Sequence, residues 1–303
     1  MLDVVIIGGG PAGLAAAVYF ARQKISFVVL TKNIGGQALL STDVENYLGF
    51  HLLDGVKLVQ QFKKHLADYQ QAFALKEDEE VERVEKIQGG FRVVSTSGSF
   101  ETKTILLACG ATHRTLGIPG ERELYGHGVS YCAACDAPLF KHKTLFIIGG
   151  GNSAMDAALL AEKYASEVHL VTVNAALQGD SVMKSKVTES LNIRIHVNKK
   201  TTRINGDTLV KSIELVDEKG ESQVCATDGV IIEIGVQANS ACVPFVGKDR
   251  GGQIMIDKFN ATNVEGIWAA GDVTDIPQKQ IAVAVGEGSK ASLSIINYLQ
   301  THH

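Results

Sequence analysis

Cys132-Ala133-Ala134-Cys135-Asp136 sets two thiols three positions apart, with a carboxylate directly after the second. At that spacing the sulfurs can close a small disulfide and exchange it with a partner disulfide. Asp136 is suited to carrying a proton to or from a thiolate. The plainer alternative is a surface carboxylate. Zinc is a rival use of such a pair, but a structural zinc needs four ligands. Neither a second C-x-x-C nor an H-x-x-x-H type spacing follows, so no metal is expected. An inert buried pair is the remaining alternative. Cys109 ends an apolar run, and Cys225 and Cys242 stand without basic neighbours in the chain, so all three read as small buried hydrophobes.

Two glycine turns supply a second kind of chemistry. Gly8, Gly10 and Gly13 form G-x-G-x-x-G directly after the apolar run DVVII and before an alanine-rich stretch. The first glycine permits a tight turn, the second lets backbone N–H groups reach a pyrophosphate, and the third lets helix pack on strand. The start of the helix adds partial positive charge for the phosphates. An acidic residue usually ends the second strand and holds a ribose, whereas this chain reads Leu30-Thr31-Lys32. The pattern returns as Gly149, Gly151 and Ala154, again between an apolar run and an alanine-rich stretch. After it, the strand ends Val171-Thr172-Val173-Asn174, and no arginine occurs between Arg122 and Arg194. A 2′-phosphate calls for such an arginine. The residues therefore argue against a strong NADPH preference and weakly permit NADH. Asp180 and Lys184 read as too far along the chain to help. The alternative is a turn that still packs but binds no nucleotide.

These groups need strands and helices to hold them. Residues 3–7 and 27–30 read as buried strands around a helix from about residue 14 to 24, the opening of a dinucleotide-binding fold. Residues 56–70 carry apolar positions at helical spacing, and 75–106 alternate like strands. The strand, glycine turn, helix and strand then repeat over 144–173, which predicts two nucleotide-type domains in one chain. A last helical run covers about 281–299. The length of 303 residues also suits two domains. The 31 glycines are an excess, about 10% against a typical ~7%, whereas the five prolines are few. The net charge of −4 argues against a nucleic-acid partner. No apolar run reaches the ~18 residues of a membrane span. Asp3 and the glycine turn are unlike a signal peptide. Five cysteines, with one close pair, fit a reducing cytoplasm.

GGGPAG near the start, GGQ (35–37), VENYLGF (44–50), SYCAACD (130–136), IIGGGNSA (147–154) and AAGDV (269–273) occur in this order. Together they resemble the low-molecular-weight thioredoxin reductases and the flavoprotein of alkyl hydroperoxide reductase, both pyridine nucleotide-disulfide oxidoreductases. The resemblance covers nearly the whole chain. It implies an α/β protein of two Rossmann-like, three-layer ββα domains, the second inserted in the first. The FAD domain would comprise 1–113 and 244–303, and the pyridine-nucleotide-type domain with the redox disulfide would comprise 114–243. On matching positions Gly8, Gly10, Pro11, Ala12 and Gly13 would hold the FAD pyrophosphate. Gly35, Gly36, Gln37 and Asn46 would lie beside the isoalloxazine, Gly110 along the cofactor, and Gly271 and Asp272 at the ribityl chain. Gln280 and Ile281 would meet the pyrimidine edge, preceded by Lys279 where the family has arginine. Gly149, Gly151, Asn152, Ser153 and Ala154 would form the nucleotide turn.

The same resemblance makes Cys135 the flavin-proximal thiol and Cys132 the one that attacks a thioredoxin-like protein. NADH or NADPH would reduce the flavin, and the flavin the disulfide. Without an arginine clamp, ferredoxin, a deazaflavin or a second flavin stand as alternative donors. A flavin-binding redox sensor without turnover is a reading from another class. Local stretches such as CDAPLFK are closer to the alkyl hydroperoxide reductase flavoprotein, but with nothing written before Met1 the expectation is a free-standing cytoplasmic homodimer with no membrane or nucleic-acid partner.

Overall fold

The computed structural model describes residues 1–303 except Thr42, Asp43, Glu45, Leu52, Gln70, Gln71, Ala72 and His303. Two of the sequence motifs touch this set: Glu45 of VENYLGF and Gln70 of the run 56–70 lie outside the described residues. The chain divides into two compact units, one formed by Met1–Thr112 with Gln237–His303 and the other by His113–Val236.

The first unit opens with β1 (Leu2–Ile7), α1 (Pro11–Arg22) and β2 (Phe27–Leu30). Pro11 takes the first helical position, where its missing N–H costs nothing and its fixed φ suits the helix. α2 (Gly55–Ala67) is capped by Asp54, whose carboxylate accepts from the Lys57 N–H. Then come β3 (Ala74–Lys76), β4 (Val81–Ile87), β5 (Gly90–Ser95) and β6 (Gly98–Leu107). The sheet order is β3-β2-β1-β6-β5-β4. β1 is parallel to both β2 and β6, while β4, β5 and the first half of β6 form an antiparallel meander.

Every residue from Val4 to Ile7 is buried, because both faces of β1 are covered. Val4 and Ile6 pack with Phe20, Val29 and Leu106 on one side; Val5 and Ile7 pack with Val28, Ile105, Val84 and Val93 on the other. This is why the run reads as continuously apolar rather than alternating. On either side of the parallel strands, helices form one outer layer and the meander the other.

The chain leaves this unit through β7 (Ala111–His113). The second unit holds β8 (Val129–Ser130), α3 (Ala133–Asp136), β9 (Thr144–Ile148), α4 (Asn152–Ala161), β10 (Glu167–Val171), α5 (Ser181–Glu189) and β11 (Ile193–His196). It continues with β12 (Lys199–Gly206), β13 (Val210–Asp217), β14 (Ser222–Ala226) and β15 (Gly229–Ile232). A parallel sheet runs β11-β10-β9-β15-β8, and β12-β13-β14 form a separate antiparallel meander. Leu145 and Ile147 face α4, whereas Phe146 and Ile148 face Ile204, Ile213 and Leu215 of the meander. The layer plan of the first unit is thus repeated, and the expected ββα architecture is present in both.

β16 (Val236–Ala238) brings the chain back, paired with β7. The division between the two compact units falls here at Val236/Gln237, where β16 pairs with β7. β17 (Ile267–Ala269) then adds to the parallel half of β6, and α6 (Ile281–Thr301) closes the first unit. Among the described residues no helix is long and apolar enough to cross a membrane.

α6 packs on α1 through a glycine. A Cβ on Gly288 would stand 2.0 Å from the Ala12 carbonyl oxygen, whereas one on Gly286, two positions away and exposed, would meet nothing within 4 Å. Alanine gains up to about 1 kcal/mol of helix propensity over glycine, but overpacking a tight contact costs about 1–3 kcal/mol. Urea unfolding should therefore show G288A destabilised by about 1–2 kcal/mol and G286A slightly stabilised.

Candidate active site

In the first unit, the glycine turn connects β1 to α1. Gly8 has φ +114°, and a Cβ there would lie 2.2 Å from the Ala108 carbonyl oxygen. A Cβ on Gly13 would lie 2.0 Å from the Gly8 oxygen, so both positions demand glycine. Gly10, in contrast, faces open space, with nothing within 4 Å of a built Cβ. The turn is thus closed toward the protein and open at the start of α1.

Residues scattered over the chain gather around that turn. The Gly35 N–H donates to the Gly9 carbonyl at 2.7 Å, and a Cβ on Gly36 would come 3.4 Å from the Gly10 Cα. The Gln37 side-chain amide donates to the Ala111 carbonyl, next to Gly110 at φ +66°. Asn46 Nδ2 donates to Gln280 Oε1 at 3.0 Å, at the residue before α6 starts with Ile281. A Cβ on Gly271 would stand 3.1 Å from Ala12 Cβ. Lys279 Nζ donates to the Asp272 and Thr274 carbonyls, tying down the turn that carries Asp272. Burial raises the Asp272 carboxyl pKa while Lys279 pulls it down; burial likewise lowers the Lys279 pKa. The sequence-derived candidates of this unit therefore share one neighbourhood, joined pairwise by these contacts.

In the second unit, the Cys132–Cys135 pair and the second glycine turn lie on one edge of the parallel sheet. Cys132 follows the carboxyl end of β8, Gly149 that of β9, and Glu233 that of β15. β9, β15 and β8 are parallel neighbours, so these three positions lie side by side. Cys132 and Cys135 form a disulfide, closed across α3. The Cys135 N–H donates to Cys132 Sγ at 3.2 Å, and the Cys132 N–H donates to Ser130 Oγ at 3.0 Å. Tyr131 steadies the approach: its hydroxyl donates to Glu121 at 2.7 Å, and its ring stacks on His113. Asp136 follows directly and acts electrostatically on Tyr125.

Gly149 repeats the packing of Gly8, since its Cβ would stand 2.2 Å from the Glu233 carbonyl oxygen and 2.9 Å from Ala154 Cβ. Gly151 is open, like Gly10. Asn152 Oδ1 accepts the Asp180 N–H at 2.9 Å, and the Gln178 N–H donates to the Gly150 carbonyl at 2.7 Å. The loop before α5 thus folds back onto the turn. This corrects the expectation that Asp180 lies too far along, although its carboxylate is engaged in capping α5 through Val182 and Met183. Arg194 is spent elsewhere: it pairs with Glu167 at the opposite, amino end of β10. Lys199, whose N–H reaches the Thr172 carbonyl, is paired with Asp217.

Sequence reasoning passed over Glu233. Its carboxylate accepts from the Ala133 N–H at the start of the cysteine helix. Burial pushes its pKa up to about 7, with Asp156 adding to the rise and the Ala133 bond opposing it. The available signal was a charged residue directly after the buried run Val230-Ile231-Ile232.

Residues 2–288 match the family described as pyridine nucleotide-disulphide oxidoreductase, and the chain belongs to that family. Among individual proteins, an alkyl hydroperoxide reductase subunit from Pseudomonas putida is 36% identical over 303 residues, covering 98% of this chain and 58% of its own length. A Bacillus subtilis protein named NADH dehydrogenase is 35% identical over 300 residues, with 98% and 58% covered. The chain therefore spans less than two thirds of these curated relatives. The crystal structure of thioredoxin reductase from Streptococcus pyogenes aligns with a TM-score of 0.93 at 30% identity, covering 99% of both chains.

The Glu233 carboxyl gives a pH signature. Its pKa rises from 4.5 to about 7 on folding, so between these values the folded chain holds a proton that the unfolded chain releases. Stability contributed by this group is present below pH 4.5 and lost as pH rises through 7. E233Q should thus gain on the order of 2 kcal/mol relative to the parent above pH 7, after discounting partial exposure, and nothing below pH 4.5. Thermal melts across this range check it.

Proposed function

We propose that the chain is an FAD-dependent disulfide reductase that takes reducing equivalents from a pyridine nucleotide and delivers them, through Cys132 and Cys135, to the disulfide of a thioredoxin-like protein. The observation that carries this reading is the placement of the Cys132–Cys135 disulfide on the same sheet edge as the second glycine turn. The reading also extends to a cytoplasmic homodimer, as the resemblance implies.

The first unit fits FAD by its own geometry. The turn is crowded at Gly8 and Gly13 yet open at Gly10, so the N–H groups at the start of α1 would be available to hold a pyrophosphate. Gly36, Gln37, Asn46, Gly110, Asp272 and Gln280 would line the rest. Bound FAD would supply two-electron transfer between the nucleotide and the disulfide. The open Gly151 at the start of α4 would take the nucleotide pyrophosphate.

Once the pair is reduced, the chain's own groups direct the exchange. The Cys135 N–H stabilises negative charge on Cys132, so Cys132 is the attacking thiolate. Cys135 then resolves the mixed disulfide, and Asp136 moves the proton. Glu233, bonded to Ala133, is a second proton-holding group beside the same helix. NADH is favoured over NADPH because Arg194 and Lys199 are both engaged with carboxylates; the name of the Bacillus subtilis relative agrees. The same engagement of both cations favours a second reading, in which the donor is ferredoxin or another flavin.

Anaerobic mixing with NADH and NADPH, followed at the flavin band, separates the two. Rapid bleaching by NADH supports the first; bleaching by dithionite or reduced ferredoxin alone supports the second. C132S and C135S should each lower turnover of a thioredoxin-like disulfide by on the order of 10³-fold or more while flavin reduction by the nucleotide persists. D136N should lower the same turnover by about 10²-fold. Parental turnover in C135S would overturn the proposal.

A further inference from the structure

Two cysteines that read in sequence as ordinary buried residues meet in the first unit. Cys109 follows β6 and Cys242 follows β16; Cys109 packs against the buried cluster that holds Cys242, and the two thiols interact. The segments that carry them are fastened to each other. Asn239 Nδ2 donates to the Cys109 carbonyl at 2.9 Å, and the Asn239 N–H donates to the Gly110 carbonyl at 3.0 Å. Cys242 is anchored from the other side, where its carbonyl accepts the Val84 N–H at 3.0 Å. The pair also adjoins the first glycine turn, since a Cβ on Gly8 would lie 2.9 Å from the Cys109 Cα.

The chemistry around the pair is that of a reactive thiol. The interaction between the two thiols lowers the Cys242 pKa and raises that of Cys109, so Cys242 is the one that ionises. Lys248, fixed by its bond to the Ser240 carbonyl at 2.7 Å, adds positive potential at both sulfurs. This corrects the expectation that Cys242 lacks a basic partner. Cys242 is only 9% exposed, and Cys109 is partly exposed. An oxidant that reaches them has to be small, which favours a peroxide over a protein disulfide.

We propose that Cys109 and Cys242 are a second redox couple, separate from Cys132–Cys135, which a small hydroperoxide closes to a disulfide. The Cys242 thiolate attacks the terminal oxygen, the O–O bond breaks, and the alkoxide or hydroxide leaves and takes a proton. The sulfenic acid formed on Cys242 is attacked by Cys109 sulfur, which loses its proton as the S–S bond forms and the S–O bond breaks, releasing water. In total, two thiols lose two electrons and two protons, and one hydroperoxide becomes water and an alcohol, or two waters from hydrogen peroxide. The new bond would staple the end of β6, beside the first glycine turn, to the segment that brings the chain back into its unit.

The test needs neither nucleotide nor protein partner, so its outcome is independent of the proposed reductase activity. The reduced full chain and a C132S/C135S chain are treated with stoichiometric hydrogen peroxide, blocked with an alkylating agent, digested and mapped by mass. The expected result in both is a linked Cys109–Cys242 peptide pair, lost on treatment with dithiothreitol, while Cys225 is alkylated. In C109S, Cys242 should stop at a sulfenic acid that dimedone traps. Alkylation of both Cys109 and Cys242 under conditions that oxidise Cys225 would overturn the proposal. So would conversion of Cys242 to sulfinic acid with Cys109 present and unlinked.

Discussion

A backbone carbonyl pressed against a glycine recurs in both units, and the placement of every candidate group depends on it. In the first unit the carbonyl of Ala108, just past β6, fills the place of a Gly8 side chain; in the second the carbonyl of Glu233, just past β15, does the same at Gly149. A Cβ would stand 2.2 Å from the oxygen in each case, far inside any tolerated contact. The contact draws the start of each turn onto the neighbouring strand and aims the following helix at the carboxyl edge of the sheet. In open α/β sheets ligands bind at that edge. Gly10 and Gly151 are left open because Gly8 and Gly149 are closed.

At the second edge, one short stretch of chain serves two purposes. The carbonyl of Glu233 packs on the glycine turn, while its carboxyl meets the cysteine helix at Ala133. The second glycine turn and the disulfide are therefore coupled through a single residue within one unit. A group whose carboxyl titrates near neutrality at such a point suits a site where protons accompany electrons. The charges that could have recognised a 2′-phosphate are engaged elsewhere in the unit, since Arg194 is held by Glu167 at the far end of β10 and Lys199 of β12 by Asp217 of β13.

The two cysteine pairs are physically different. Cys132 and Cys135 are neighbours in the chain, so the short α3 turn itself brings them together. Cys109 and Cys242 meet only because the chain leaves the first unit and returns through β7 and β16, which pair with each other. Local spacing reveals the first pair and carries no trace of the second.

What the residues determined by themselves is everything that depends on near neighbours. The two glycine turns, the C-x-x-C pair, the buried run DVVII and the repeat of strand, turn and helix were all legible, because steric and hydrogen-bonding demands act over a few residues. They sufficed to read two nucleotide-type domains, while the ββα plan and the family came through the resemblance of the ordered motifs. The gathering of Gln37, Asn46, Gln280 and Lys279 around the first turn could be named only through resemblance, since their contacts cross long stretches of chain. Tertiary structure alone decided the rest. It folded Gln178 and Asp180 back onto the second turn, set Glu233 against Ala133, spent Arg194 on Glu167 and brought Cys109 to Cys242. Each of these is an encounter between distant segments, fixed by sheet order and by the return of the chain, and no local periodicity encodes it.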